Sequence, residues 1–334
     1  MATPTMKKIL VTGGCGWLGA AITKALLERG DAVVAMDLAI PPGIAALARE
    51  NDRLIPVVGD LCEWRQVTEV FRAHRPDAVV HCAAIVGVVT AADIPVKALR
   101  VNVEGSVNLF EAMRQAGVRR VVHISTEETY GDFCAAMIDE EHPQRPTSIY
   151  GVTKLTVEHY GRVYSREHGL ECINARTCWV YGPSLPRVRM PKTFIDAALR
   201  GEPYHLDAGY DLAVDQVHIS DTVAGALLAL DKPAHRYDSY NIATGQAPTL
   251  GDVAAIVNDI VPGARITVGR GEYLHGGAVP TAKKGALDIR RARAELGYTP
   301  RYDIRRGIEA TVQAARLELA AAAASDKNKM AGKA

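Results

Sequence analysis

Lys8-Ile9-Leu10-Val11-Thr12-Gly13-Gly14-Cys15-Gly16-Trp17-Leu18-Gly19 stands almost at the start of the 334-residue chain and carries its strongest structural signal. An apolar run long enough for one buried strand ends in Gly13-x-x-Gly16-x-x-Gly19. Ala20, Ala21, Ile22, Ala25, Leu26 and Leu27 follow in a helical pattern. In such a strand–turn–helix unit one glycine permits the tight turn, one lets backbone approach a pyrophosphate, and one lets the helix pack on the strand. The N–H groups that open the helix lack partners within it, and its dipole favours negative charge there. The flanking strand and helix turn three spaced glycines into a dinucleotide-binding expectation, with Gly13, Gly16, Trp17, Leu18 and Gly19 at the cofactor.

A second strand-like run, Ala32-Val33-Val34-Ala35-Met36, ends in Asp37. A carboxylate at that tip accepts hydrogen bonds from the adenosine ribose hydroxyls and repels a 2′-phosphate. No arginine follows directly to reverse that preference, so the expected cofactor is NAD. The plain alternative for Asp37 is a solvated loop acid.

The balance of 39 basic and 38 acidic residues argues against a nucleic-acid or membrane-surface partner. Six cysteines form no C-x-x-C pair, and several lie in apolar strand patterns, which predicts free thiols in a reducing cytoplasm. No apolar run reaches membrane-spanning length, and the first strand begins too early to leave room for a signal peptide.

Further strand-like runs at residues 54–58, 78–81, 121–124 and 172–175 alternate with helical patterns at 63–72, 95–115 and 150–167. This alternation predicts an α/β fold with a doubly wound parallel sheet. From Gly182 the texture changes: Pro183, Pro186 and Pro191 precede a helix near 192–200, and helices follow from 220 and over 249–261. The expected organisation is a dinucleotide-binding domain over 1–180 and a smaller C-terminal substrate-binding cap over 181–320, interleaved with late elements returning to the sheet. A disordered tail is expected over 321–334.

Tyr150-Gly151-Val152-Thr153-Lys154 puts a phenol and an ammonium four residues apart on one helical face. A free phenol titrates near ~10. A lysine beside it, with the positive charge of an oxidised nicotinamide, favours the phenolate, which then takes a proton from a substrate hydroxyl as hydride leaves the same carbon. By itself the spacing is common on helix surfaces. Here the run Val121-Val122-His123-Ile124 ends in Ser125-Thr126, placing a hydroxyl at the carboxyl edge of the sheet, where Thr126 is expected to hold the reacting oxygen. His81 reads as a packed strand residue.

At this point the chain resembles the extended short-chain dehydrogenase/reductases of the NAD-dependent epimerase/dehydratase group, over nearly its whole length. The likeness rests on Thr12-Gly13-Gly14-x-Gly16-x-x-Gly19, Asp37, Asp60-Leu61, His81-x-Ala83-Ala84, Asn102, Ser125-Thr126 with Tyr130-Gly131, Tyr150-x-x-x-Lys154, Tyr181-Gly182-Pro183 and Ala294-Glu295-Leu296-Gly297-Tyr298-x-Pro300. It implies a Rossmann fold in which Asp60 and Leu61 bracket the adenine and Ala83 and Ala84 line the nicotinamide side. Asn102 is expected among the cofactor-binding residues, and Lys154 on the nicotinamide ribose. It also implies a homodimer through the helices at 95–115 and 150–167.

Glu127 and Glu128 follow the hydroxyl pair, as acids follow a threonine in the sugar-nucleotide dehydratases and decarboxylases the segment resembles. Once an alcohol is oxidised, the neighbouring C–H becomes acidic, and Glu128 is the candidate base with Glu127 an assisting acid. Solvated loop acids are the alternative. Other positions depart from the sugar-nucleotide pattern. Trp179 stands where those relatives usually carry Asn, Val214 precedes Asp215 where they carry Arg, and Gln216 replaces an aromatic. Arg187, Arg189 and Lys192, with Trp179 and Thr126, are the candidate substrate-binding residues, the basic ones compensating on a diphosphate or holding a smaller anion such as a carboxylate. The expected activity is that of an epimerase or dehydratase acting on a sugar or sugar nucleotide. A dehydrogenase of a smaller sugar, polyol or hydroxy acid with net NADH release is the alternative. A non-catalytic NAD sensor is a third reading, which retention of Thr126, Tyr150 and Lys154 disfavours.

Overall fold

The structure, a computed structural model, describes residues 6–331. Seven strands form the central sheet: β1 (Lys8–Thr12), β2 (Ala32–Asp37), β3 (Leu54–Val58), β4 (Ala78–His81), β5 (Arg120–Thr126), β6 (Glu171–Thr177) and β7 (Ser239–Ile242). Their order is β3-β2-β1-β4-β5-β6-β7, with every neighbouring pair parallel. The direction of winding reverses between β1 and β4, and a crevice opens there at the carboxyl edge.

The helices are α1 (Trp17–Glu28), α2 (Pro42–Glu50), α3 (Trp64–His74), α4 (Val88–Asp93), α5 (Pro95–Leu99), α6 (Gly105–Ala116), α7 (Ile149–His168), α8 (Lys192–Leu199), α9 (Ile219–Asp231), α10 (Leu250–Ile260), α11 (Arg290–Leu296) and α12 (Ile304–Ala331). Alternate strand residues face opposite cores, which is why the strands read as continuous apolar runs. Ile9, Val11, Val33 and Ala35 pack with Ile22 and Leu26 of α1 and Val223 and Ala226 of α9. Leu10, Val34 and Met36 pack with Val67 and Phe71 of α3 and Leu109 and Met113 of α6. A separate, smaller core joins Phe194 and Ile195 of α8, Leu250 and Val257 of α10 and Ile308 of α12 beneath Trp179. That second core is the cap; α9 and β7, although late in sequence, belong to the sheet layers.

Three details differ from the sequence reading. The helical pattern at 95–115 is α5 and α6 joined by a π-helical turn, Arg100–Glu104, that turns Asn102 inward. The short helix α4 had no periodic signal. Residues 321–331 continue α12 instead of forming a tail, as the helix propensity of alanine favours; residues 332–334 lie outside the described residues. Among the described residues no helix is long and apolar enough to cross a membrane. All six cysteines are free thiols.

Candidate active site

A cavity of about 650 Å³ runs along the carboxyl edge of the sheet from the glycine turn to the cap. At its first end Gly13 adopts φ 65°, and a Cβ on it would lie 2.8 Å from the Ala83 nitrogen. A Cβ on Gly19 would collide with the Gly13 carbonyl oxygen. The turn therefore closes only with glycine at both positions. Gly16 is the N-cap of α1, with no side-chain cap and no acid in the first turn, so the opening N–H groups are left for an anion. Trp17 and Leu18 line the same end.

Asp37 accepts from the Cys15 N–H at 3.1 Å and the Leu38 N–H at 2.8 Å, fixing its carboxylate on the cavity wall with lone pairs to spare. Asp60 caps the Cys62 N–H at 2.9 Å, and with Leu61, Ala83 and Ala84 it lines the next stretch. An uncapped helix start beside a carboxylate with free lone pairs fits a dinucleotide. Asn102 is placed elsewhere. Its amide accepts from Ile85 N–H and donates to the Ile85 carbonyl and Thr153 hydroxyl, at 2.7, 3.1 and 2.9 Å. It thus braces the loop after Ala84 and does not line the cavity.

At the middle, Thr126 ends β5 and Tyr150 stands in the first turn of α7, which Ser148 caps through the Gly151 N–H at 3.0 Å. Burial pushes the Tyr150 phenol up to about 12; Arg187 most, then Arg189 and a Thr126 hydrogen bond, pull it back. Lys154 also lines the cavity, but its ammonium donates to His123 Nε2 at 2.8 Å, and burial lowers it to about 8. Arg187 and Arg189 are thus two cations near the phenol to which the sequence did not point. Lys154 is turned by a neutral imidazole acceptor, itself held through Nδ1 on Asn174 at 2.9 Å. His81 is packed as expected, hydrogen-bonded to Thr12 and Ser106.

Glu127 and Glu128 form a 3-10 turn after Thr126, and both line the cavity. The ammonium of Lys284 lies 2.9 Å from Glu128 and 3.5 Å from Glu127, with its side chain 0 % exposed. Burial pushes Glu127 up to about 7 against the pull of Lys284. For Glu128 burial is outweighed by the charge and hydrogen bond of Lys284, and its carboxyl is lowered. One wall thus holds a reluctant acid and an ionised carboxylate side by side. Nothing in the local sequence marks Lys284 as part of this site. Strand pairing of Ala286–Leu287 with Met137–Ile138, and a Lys283 N–H to Asp132 bond at 2.7 Å, bring it in.

Toward the cap, Trp179, Arg187 and Arg189 line the cavity, and the Arg189 guanidinium lies 4.5 Å from the Trp179 ring centre. Lys192 does not line it; its ammonium is bonded to Asp196 one helical turn away. Asp215 is fully buried, accepting from Thr244, Gly245 and Leu287, so it ties cap loops to the sheet. Beneath Thr126, Glu158 is held by Arg176 at 2.7 Å and Ser125 at 2.6 Å, all buried.

Comparison with known proteins gives the family. The profile described as "NAD dependent epimerase/dehydratase family" matches residues 9–243. UDP-glucose 4-epimerase of Mycolicibacterium smegmatis is 29% identical over 313 residues, covering 92% of this chain and 97% of that one. dTDP-glucose 4,6-dehydratase of Neisseria meningitidis serogroup B is 29% identical over 333 residues, covering 92% and 93%. The crystal structure of UDP-glucose 4-epimerase from Thermotoga maritima with UDP-glucose superimposes with a TM-score of 0.83 at 26% identity, over 93% of this chain and 99% of that one. The chain belongs to the NAD-dependent epimerase/dehydratase family, the extended short-chain dehydrogenase/reductases. It is an enzyme, and its cofactor is NAD.

Proposed function

We propose that the enzyme is an epimerase or dehydratase that oxidises a secondary alcohol of a sugar or sugar nucleotide and then acts on the neighbouring carbon. Bound NAD supplies the hydride acceptor and a positive ring charge that favours the Tyr150 phenolate. Gly13, Gly16, Trp17, Leu18 and Gly19 would hold its pyrophosphate, Asp37 its adenosine ribose, and Ala83, Ala84 and Lys154 its nicotinamide end. Thr126 orients the reacting hydroxyl and Tyr150 takes its proton, with Arg187 and Arg189 stabilising the phenolate.

The observation that carries the reading is the Glu127–Lys284–Glu128 cluster in the same cavity. Alcohol oxidation alone needs only the phenol. Two carboxylates with proton affinities driven apart suit a further step, Glu128 removing the acidified C–H proton and Glu127 delivering one. The relatives named for sugar-nucleotide epimerisation and dehydration support the same class. A homodimer is supported by α7, where exposed Ile149, Val152, Tyr160 and Val163 fall on one face. The free thiols suit a cytoplasmic setting.

The purified enzyme, offered UDP-sugars, dTDP-glucose and free sugar acids, is expected to convert one of them without accumulating NADH. Stoichiometric NADH would replace this reading with that of a net dehydrogenase.

A further inference from the structure

Arg187 and Arg189 face the cavity two residues apart on the loop before α8, and among the described residues neither has an ion-pair or hydrogen-bond partner. Arg187 lies against Gly87 on the opposite wall. Its guanidinium is depressed to about 10 by burial and then by Arg189, and no carboxylate lies within ion-pair distance of either arginine among the described residues. Beside them Trp179 Nε1 is buried and makes no hydrogen bond, and the Glu127 carboxyl has only the Lys284 ammonium, 3.5 Å away. Orphaned donors and paired cations in an enclosed wall are costly unless a ligand satisfies them.

We propose that this end of the cavity is an oxyanion subsite and that the substrate is a sugar acid. Its carboxylate would be held by Arg187 and Arg189, and its ring hydroxyls would meet Trp179 Nε1 and Glu127. The proposal rests on the functional reading above and narrows its substrate class. Both arginines act on the Tyr150 phenol, so the anion lies close to the alcohol that Tyr150 deprotonates. The two guanidiniums lie on one stretch of wall, a fork suited to a planar carboxylate. The apolar, fully buried Val214 and the Lys192–Asp196 pair add no further cation for a diphosphate. A guanidinium on the indole face also makes Trp179 a reporter, because an anion that draws Arg189 away alters its emission.

The test is titration of the NAD-loaded full-length enzyme with D-glucuronate, D-glucose, UDP-glucose and inorganic phosphate, followed by calorimetry and tryptophan fluorescence. D-glucuronate is expected to bind at least about tenfold more tightly than D-glucose and to change the emission, a tenfold ratio corresponding to about 1.4 kcal/mol. Arg189→Gln is expected to erase that ratio while NAD affinity stays unchanged. Arg189→Lys, which keeps the charge but loses the bidentate fork, is expected to retain part of it. UDP-glucose or phosphate binding more tightly than D-glucuronate would give the arginines to a phosphate and overturn the proposal, as would equal binding of D-glucuronate and D-glucose. Failure of the wild-type protein to bind NAD would instead overturn the functional reading beneath it.

Discussion

Tyr150→Phe is expected to lower turnover of whichever sugar the enzyme converts by about 10²- to 10⁴-fold, with NAD affinity and folding little changed. The ring still fills its buried place, but the hydroxyl that receives the substrate proton is gone. The loss should be in kcat more than in KM, because Thr126 and the arginines still hold the substrate. Steady-state kinetics beside NAD calorimetry on the same preparation check this. Turnover within a few-fold of wild type would mean that a group other than this phenol takes the proton.

The largest effect on stability is expected at Arg176→Met. Arg176 and Glu158 are 1% and 0% exposed, and the arginine also bonds the Tyr130 hydroxyl at 2.9 Å. Removing the cation strands a buried carboxylate, a change costing about 3–5 kcal/mol. Burial raises the Glu158 carboxyl, but Arg176 outweighs it and holds the group below the usual carboxylate range. A carboxylate depressed in the folded state contributes stability at pH above its unfolded value, near ~4.3, and that contribution is lost as pH falls through the folded value. The gap between wild type and variant should therefore be widest near neutrality and narrow in acid. Urea denaturation across that range reads it out. A gap that is small, or constant with pH, would contradict the assigned role.

The dinucleotide fold, its glycine turn and the carboxylate at the second strand tip were legible in the sequence, and for a physical reason. Gly13, Gly16, Gly19 and Asp37 act through backbone geometry and strand-tip position, properties that local spacing encodes. Tyr150 was legible the same way, four residues from Lys154 and following a strand that ends in Thr126. The environment of Tyr150 was not. Lys154 is bonded to His123, and two further cations near the phenol come from the loop after Tyr181. Lys284 reaches Glu128 across 156 residues of sequence through the pairing of two short strands, a contact that no local pattern announces. Asn102 is a motif residue whose amide is bonded to Ile85 and Thr153, partners that local spacing does not reveal. Lys192 lies outside the cavity lining, paired with Asp196 one turn along α8.

A crystal structure of the enzyme with NAD tests the central claim most directly. The pyrophosphate should lie on the opening N–H groups of α1, the adenosine ribose hydroxyls on Asp37, and the nicotinamide ring beside the Tyr150 hydroxyl. A dinucleotide bound outside this cavity, or bound in it with its nicotinamide remote from Tyr150, would contradict the account.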